Sequence, residues 1–393
     1  MTREVLVAGG GIGGLAAAVA GRRAGWEARL FEQAPAFSEV GAGIQMGPNA
    51  TRILREWDLL ARSPLREQVV APPRLRARDG VDGRELGTLA LGDTIAQRYG
   101  APYLTVHRAD LQAALLAAAR EAGARLHSGC RVEAVEREGA CIAVRTTHTS
   151  GVEADALVAA DGVWSTLRAR VIDDGAAQPT GHLAYRGVVR QQDLPAALRS
   201  DEVTVWLAPR MHLVTYPVRG GEWLNAVCVV EGTHPGDPRL WDHAASQAQL
   251  EGALGPVCPA LRERIAAIPS WRLWVLHGRA PVASADALAR GRIALLGDAA
   301  HPMLPYLAQG AGMAIEDARE LERVFAMDPK VADVATALRR YALNRWQRVA
   351  QVQARSRRNG TIFHATGALR AARNAAMRTV GARLLDQPWL YGR

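Results

Sequence analysis

Glu4-Val5-Leu6-Val7-Ala8-Gly9-Gly10-Gly11-Ile12-Gly13-Gly14-Leu15-Ala16-Ala17-Ala18 opens the chain, and Glu27-Ala28-Arg29-Leu30-Phe31-Glu32 comes shortly after. The apolar run before the glycines reads as a buried strand, the alanine-rich stretch over 15–24 as a helix, and the second run as a strand ending in an acid. Gly9, Gly11 and Gly14 carry the Gly-x-Gly-x-x-Gly spacing in a strand-to-helix turn, with an acid some twenty residues on. Gly9 allows the tight turn, Gly11 lets a pyrophosphate reach the backbone, and Gly14 lets helix and strand pack closely. The helix start would face the phosphates, and Glu32 would accept from a ribose hydroxyl. This stretch therefore predicts a doubly wound α/β domain that holds a dinucleotide.

Further along the chain, 37–45 reads as a glycine-rich loop leading to a helix over 50–57 capped by Asn49. Residues 73–103 read as short strands around the turn Asp79-Gly80-Val81-Asp82-Gly83, outside the nucleotide domain. His107-Arg108-Ala109-Asp110 starts a helix over 111–122, Gly123 begins a strand, and 131–147 reads as a hairpin. The run 154–160 is a buried strand entering Asp161-Gly162-Val163-Trp164-Ser165, a second turn of nucleotide-loop type that leads to a short helix. Strands over 183–190, 203–208, 212–217 and 223–230, with a helical piece at 243–254, predict a mostly antiparallel sheet. The strand 292–296 leads into Gly297-Asp298-Ala299-Ala300-His301-Pro302 and a helix over 310–318 whose first turn is Gly and Ala. Such a start exposes its backbone N–H groups closely. Beyond Val334 the chain reads as helical and arginine-rich to Arg393.

The chain has 393 residues, 49% hydrophobic and 22% charged, enough for two domains with their own cores. No apolar run reaches the ~18 residues that span a bilayer, and the N-terminus lacks a signal-peptide pattern. Cys130, Cys141, Cys228 and Cys258 are scattered and form no Cys-x-x-Cys pair, so the expectation is reduced thiols in the cytoplasm and no metal site. The net charge of +9 is nearly all arginine, Lys330 being the single lysine. No motif accompanies it that would indicate nucleic acid, whereas a local positive field attracts anionic small molecules.

Three motifs then stand in order: Gly9-x-Gly11-x-x-Gly14, Asp161-Gly162 within Ala159-Ala160-Asp161-Gly162-Val163-Trp164-Ser165-Thr166-Leu167-Arg168, and Gly297-Asp298 within Gly297-Asp298-Ala299-Ala300-His301-Pro302. Together they resemble the FAD-dependent aromatic hydroxylases of the single-component flavoprotein monooxygenase family, over essentially the whole chain. Ala184-Tyr185-Arg186-Gly187, His212-Leu213-Val214-Thr215-Tyr216-Pro217, Met303-Leu304-Pro305 with Ala308-Gln309-Gly310-Ala311, and Trp389-Leu390-Tyr391-Gly392 resemble the branch of salicylate hydroxylase, 3-hydroxybenzoate 6-hydroxylase and 6-hydroxynicotinate 3-monooxygenase.

The resemblance implies a Rossmann-like FAD-binding domain (1–72, 104–178 and 278–335) with an inserted, mostly antiparallel β-sheet substrate domain (73–103 and 179–277) and a C-terminal helical region (336–393). It implies that Gly9, Gly11, Gly14 and Glu32 bind the ADP half of FAD and that Arg108 reaches the FAD phosphates. Asp161 belongs to a motif associated with both FAD and the nicotinamide nucleotide. Asp298 would bind ribityl or ribose hydroxyls, Pro302 would lie against the isoalloxazine ring, and the amides of Gly310, Ala311, Gly312 and Met313 would face the charged end of the flavin.

The implied reaction is hydroxylation of a small phenolic aromatic acid of hydroxybenzoate or hydroxynicotinate type, with NADH or NADPH and O2, through a C4a-hydroperoxyflavin. An electron-rich ring needs a base near the phenol. His212 fits by its ordinary pKa, and Tyr216 lies on the same face by the period of two. His301 and the pair Tyr185-Arg186 are weaker candidates. Arg210 and Arg219 are candidates for a substrate carboxylate. Pro305 stands where some 3-hydroxybenzoate 6-hydroxylases are expected to carry a polar residue. A homodimer is a possible assembly. Alternatives are a flavin oxidoreductase of the same fold without oxygen insertion and a binding protein using the basic C-terminal helices.

Overall fold

A parallel sheet built on Glu4–Ala8 forms the centre of one of two compact units in this computed structural model, which describes residues 3–38, 41–233, 237 and 242–392. Glu39 and Val40 of the glycine-rich loop, Met1, Thr2 and Arg393 lie outside the described residues.

The first unit comprises 1–40, 109–178 and 278–356. Its six-stranded sheet runs in the order Ala289–Arg290, Ile293–Leu295, Ala156–Ala159, Glu4–Ala8, Glu27–Phe31, Arg125–His127. Every pairing is parallel except the first. Val5, Leu6 and Val7 are wholly buried, as a parallel strand covered on both faces must be. The helix Ile12–Arg23 packs along the helix Gly310–Phe325. Gly13 makes this possible, since a Cβ there would lie 2.7 Å from Leu296 Cδ2 and 3.3 Å from Ala314 Cβ. Trp26 stacks on Phe325 at 4.3 Å and donates its indole N–H to the Phe325 carbonyl. Val132–Glu138, Ile142–Thr146 and Val152–Ala154 form a separate antiparallel sheet.

The second unit comprises 41–108, 179–277 and 357–393. Its eight-stranded sheet runs Asp242–Ala245, Trp271–Gly278, Gln178–Arg190, Trp223–Glu231, Met211–Val218, Val203–Ala208, Arg74–Asp79, Glu85–Ala90. Val203–Ala208 pairs with Arg74–Asp79 in parallel, while the strands around Met211–Val218 and Trp223–Glu231 are antiparallel. The two faces differ. Leu183, Tyr185, Leu213, Ala226, Cys228 and Val230 point into an apolar core closed by Leu250, Leu261 and Ile265 of two short helices. On the opposite face Ala77, Leu86, Val205 and Leu207 meet Met377 of the helix Gly367–Leu385. Gly87 and Gly381 touch backbone to backbone, and one nitrogen of Arg370, Nη2, donates to both carboxylate oxygens of buried Asp79 at 2.8 Å.

Several local expectations are corrected. The first helix starts at Ile12 rather than 15, because Gly11 is its N-cap and the glycines already belong to the turn and first helical residues. The helix predicted over 50–57 is Pro48–Glu56 with Gly47 as cap; Pro48 presets the first turn and Asn49 lies inside. The helix predicted over 111–122 begins at Arg108, directly on the strand Leu104–His107. Gly92–Tyr99 is a helix closed by left-handed Gly100, where short strands were expected. Gly43–Met46, expected as loop, pairs with Leu104–His107. The stretch expected as one helix at 243–254 is the strand Asp242–Ala245 and then the helix Gln247–Ala253, which Ser246 starts with a capping box. The helix at 310 continues to Phe325. After Asp161-Gly162 the chain makes a turn and a single 3-10 turn, Arg168–Arg170, in place of the short helix. Outside these local corrections, the two units meet in the chain at 40/41, 108/109, 178/179, 277/278 and 356/357, where the domains expected from motif order have 72/73, 103/104, 178/179, 277/278 and 335/336. The last break lies within the continuous helix Val334–Phe363.

Candidate functional site

In the first unit the three motifs occupy the carboxyl ends of adjacent parallel strands. Gly9 succeeds Glu4–Ala8, Glu32 succeeds Glu27–Phe31, Asp161 comes just after Ala156–Ala159, and Gly297 just after Ile293–Leu295. The chain order reverses between Glu4–Ala8 and Ala156–Ala159, the place where open α/β sheets leave a crevice. Gly9 has φ +106°, and a Cβ on it would lie 2.4 Å from the Ala160 carbonyl oxygen. A Cβ on Gly14 would lie 1.9 Å from the Gly9 carbonyl oxygen. Glu32 accepts from the Gly10 N–H at 2.6 Å and the Ala34 N–H at 2.7 Å. A carboxylate has about four acceptor positions, so capacity remains for sugar hydroxyls. Asp161 Oδ2 accepts from Thr166 N–H at 3.1 Å, while Oδ1 has no partner among the described residues. Burial raises its pKa against the hydrogen bonds that favour the charged form.

The third motif is clamped from two sides. Arg168, the last residue of the second motif, donates to the carbonyls of Ala299 and Ala300 at 2.8 and 2.6 Å and pairs with Asp174 at 2.7 Å. Buried His301 Nε2 lies 2.6 Å from Asp317 Oδ2, and Arg345 Nε donates to Asp317 Oδ1 at 2.7 Å. Gly297 N–H donates to the same carboxylate at 3.2 Å. Between buried Gly297 and Ala299, Asp298 alone is exposed. Pro302 is buried, its carbonyl accepting from Gln353 Nε2 at 3.0 Å. Ala308 adopts a left-handed φ of 52° and turns the chain into the helix at Gly310.

That helix has no side-chain cap and no acid in its first turn, and the same holds of the helix after Gly11. Both starts therefore leave N–H groups and positive dipole ends for an anionic partner. Space is open in front of Gly310, where a Cβ would meet nothing within 4 Å. Gly312 and Met313 are buried, and Gly310 and Ala311 half-buried. Two uncapped helix starts, the Glu32 carboxylate and exposed Asp298 fit a ligand with a pyrophosphate, sugar hydroxyls and an electron-rich ring.

The second unit carries the other residues. Arg108 lies here, half-buried, its N–H bonded to the Ala42 carbonyl at 2.9 Å. Residues paired across strands point to one side. The register sets Tyr216 opposite Asn225, Arg186 opposite Val227, His212 opposite Val229, and His182 opposite Glu231. All lie on the face away from the apolar core. Tyr216 is hydrogen-bonded to Gln45, which also accepts from the Tyr103 hydroxyl at 2.6 Å. Burial pushes the Tyr216 hydroxyl's pKa well up, against the Arg186 charge and the Gln45 bond. The Arg186 guanidinium stacks 3.8 Å above the Trp274 ring. His212 is buried, with Nδ1 2.9 Å from His364 Nε2 and Phe363 edge-on at 5.4 Å. Burial first, then His364 and His182, hold its pKa well below the usual value, so it is neutral near pH 7.

Arg210 is exposed and bonds Glu231 at 3.0 Å, and Arg219 lies beside Trp223; both stand outside the strands, so neither takes a place on the Tyr216 face through strand register. Arg186 does. Its parity in the strand was readable, but the neighbour it faces was not. Gln45, Asn225 and His364 carried no sequence signal at all, because each arrives from a segment remote in the chain.

A family model described as an FAD binding domain matches residues 2–356. The chain is 37% identical to the 3-hydroxybenzoate 6-hydroxylase of Polaromonas naphthalenivorans (strain CJ2), covering 99% of this chain and 95% of that one. It is 37% identical to the 6-hydroxynicotinate 3-monooxygenase of Bordetella bronchiseptica, covering 89% of each. Among solved structures, Klebsiella pneumoniae HpxO complexed with FAD and uric acid superposes with a TM-score of 0.82 at 27% identity, covering 96% of this chain and 93% of that one. With the fold class expected from sequence, and with these matches over nearly its whole length, the chain belongs to the FAD-dependent aromatic hydroxylases, flavoprotein monooxygenases whose FAD-binding domain it carries.

Proposed function

We propose that this protein hydroxylates the ring of a small phenolic acid of hydroxybenzoate or hydroxynicotinate type, using NADH or NADPH and O2. The observation that carries the proposal is the polar face of the second unit's sheet, where an imidazole, a phenol and a guanidinium share one side. FAD, when bound, would supply the redox chemistry between the nicotinamide nucleotide, O2 and the ring.

The chain's own groups do the rest. Gly9, Gly11 and Gly14 admit the pyrophosphate, and Glu32 and Asp298 accept from hydroxyls of the cofactor. Arg108 and Asp161 are further cofactor contacts. Pro302 borders the ring system. The N–H groups of Gly310, Ala311 and Gly312 stabilise negative charge at its end without a cationic side chain, whereas the Met313 N–H, expected to share this role, is taken by the Gln309 carbonyl at 2.8 Å. His212, neutral near pH 7, takes the phenol proton and makes the ring electron-rich. Tyr216, held protonated by burial, donates to the substrate oxygen. Arg186, kept in place by Trp274, pairs with the substrate carboxylate. Its aromatic platform favours a planar acid.

Four free cysteines and no helix long and apolar enough to cross a membrane, among the described residues, support a cytoplasmic location. The test is nicotinamide-nucleotide oxidation across a panel of hydroxybenzoates and hydroxynicotinates, with product identification under labelled O2. One O2-derived oxygen atom in the product is expected; an oxidised product without it sinks the proposal in favour of a non-inserting oxidoreductase. His212→Ala is expected to keep FAD and lose most substrate-stimulated hydroxylation, and undiminished turnover would remove His212 as the base.

A further inference from the structure

His212 is placed deep in the second unit, and its side chain does not stand alone. Its Nδ1 lies 2.9 Å from His364 Nε2. His364 Nδ1 lies 3.4 Å from Glu231 Oε1. The His364 side chain is only 1% exposed, whereas that of Glu231 is 35% exposed, its other oxygen bonded by Arg210 at 3.0 Å. The three groups thus form a file from a buried ring to the surface. All three belong to the same unit, and His182 stacks on His364 at 5.2 Å.

We propose that His364 and Glu231 are the outlet through which the proton taken up by His212 reaches solvent, and the inlet through which it returns. The inference rests on His212 being the base of the proposed function. His364 and Glu231 act through His212 and are positioning residues in this sense.

A purely structural histidine pair would not need a carboxylate at its far end. A proton acceptor at this depth does. Burial, with His182 as a further like charge, keeps both rings neutral near pH 7, and Arg373 adds positive charge near His364. A phenol proton left on such a ring would return to the phenolate, because the desolvated imidazolium is disfavoured. Passing it on removes that penalty. The proton arrives at His212 Nε2, and His212 gives up the proton on Nδ1 to His364 Nε2. His364 in turn gives the proton on its Nδ1 to Glu231, from which water removes it. Only N–H and O–H bonds change, one proton enters and one leaves, and every ring ends neutral. When the product phenolate takes a proton back, the same transfers run in reverse and restore the starting tautomers.

The test uses the FAD-loaded enzyme mixed by stopped flow with 3-hydroxybenzoate, and in parallel with 6-hydroxynicotinate, in weak buffer with a pH-indicator dye. Proton release and ligand affinity, the latter from the flavin absorbance change, are measured for wild type, H364Q, E231Q and H212A. Release is expected to slow about tenfold or more in H364Q and E231Q, the scale of a lost proton-transfer group. Affinity should stay nearly unchanged, and added imidazole should restore the rate in H364Q. Wild-type release rates in H364Q and E231Q, with release lost in H212A, overturn the outlet and leave His212 as base. Wild-type release in H212A overturns both. Slow release that imidazole leaves slow, with flavin content falling in proportion, assigns His364 to packing and also overturns the outlet. Glu231, at the surface, decides the matter where H364Q does not hold FAD.

Discussion

Asp317→Asn tests whether the turn carrying Asp298 is held by a buried charge. Asp317 is fully buried and accepts from Arg345 Nε at 2.7 Å, His301 Nε2 at 2.6 Å and Gly297 N–H at 3.2 Å. Burial alone would raise its pKa, but His301 and Arg345 outweigh it and hold the carboxyl at about 2, from an ordinary 3.8. At about 1.4 kcal/mol per tenfold change in proton affinity, that difference corresponds to roughly 2.5 kcal/mol of folding stability. The folded value is the depressed one, so this stability is present above pH 4 and is lost as pH falls from about 4 toward 2. Breaking a buried pair by removing one partner costs about 3–5 kcal/mol. Arg345 keeps Glu316 at 2.7 Å, which favours the lower end, about 3 kcal/mol. Urea unfolding at pH 7 by tryptophan fluorescence should show this loss. The gap between wild type and variant should narrow as the pH is lowered through 4. Flavin retention should fall as well, because Gly297 and His301 lose the carboxylate that fixes the Gly297–Ala299 turn. A variant that unfolds at the wild-type urea concentration with full flavin content rules out the buried charge as the support of this turn.

Asp298→Ala should lower the flavin-to-protein ratio on purification without changing far-UV circular dichroism; full flavin content contradicts its placement at the cofactor. Gly14→Ala puts a Cβ 1.9 Å from the Gly9 carbonyl oxygen, so it should abolish flavin binding and lower the melting temperature, an overpacking cost of about 1–3 kcal/mol or more. Arg186→Gln should raise KM for a hydroxybenzoate about tenfold to a hundredfold, the range of a charge-assisted bond, while leaving an uncharged phenol unaffected. Equal effects on both ligands remove Arg186 as the carboxylate partner.

Local backbone requirements are written into neighbouring residues, and these were legible. The turn at Gly9 needs a positive φ and no Cβ, so three glycines at fixed spacing between an apolar run and an alanine-rich helix announce it. The same holds for the small residues at Gly310, Ala311 and Gly312, which leave a helix start open. Strand alternation announced that His212 and Tyr216 share a face. It was silent on what covers that face, since periodicity reports a side and not a neighbour. Folding brings His364 to His212 across 152 residues, sets Arg168 on the Ala299 carbonyl across 131, and places Arg186 beside Tyr216 through the register of the strand between them. The family, the flavin-type turns and their order are thus carried by short stretches of residues. The partners that hold those turns, and the setting of His364 against His212, come from strand register and from the packing of the C-terminal segment. Both depend on which apolar faces meet, a non-local outcome that no short stretch encodes.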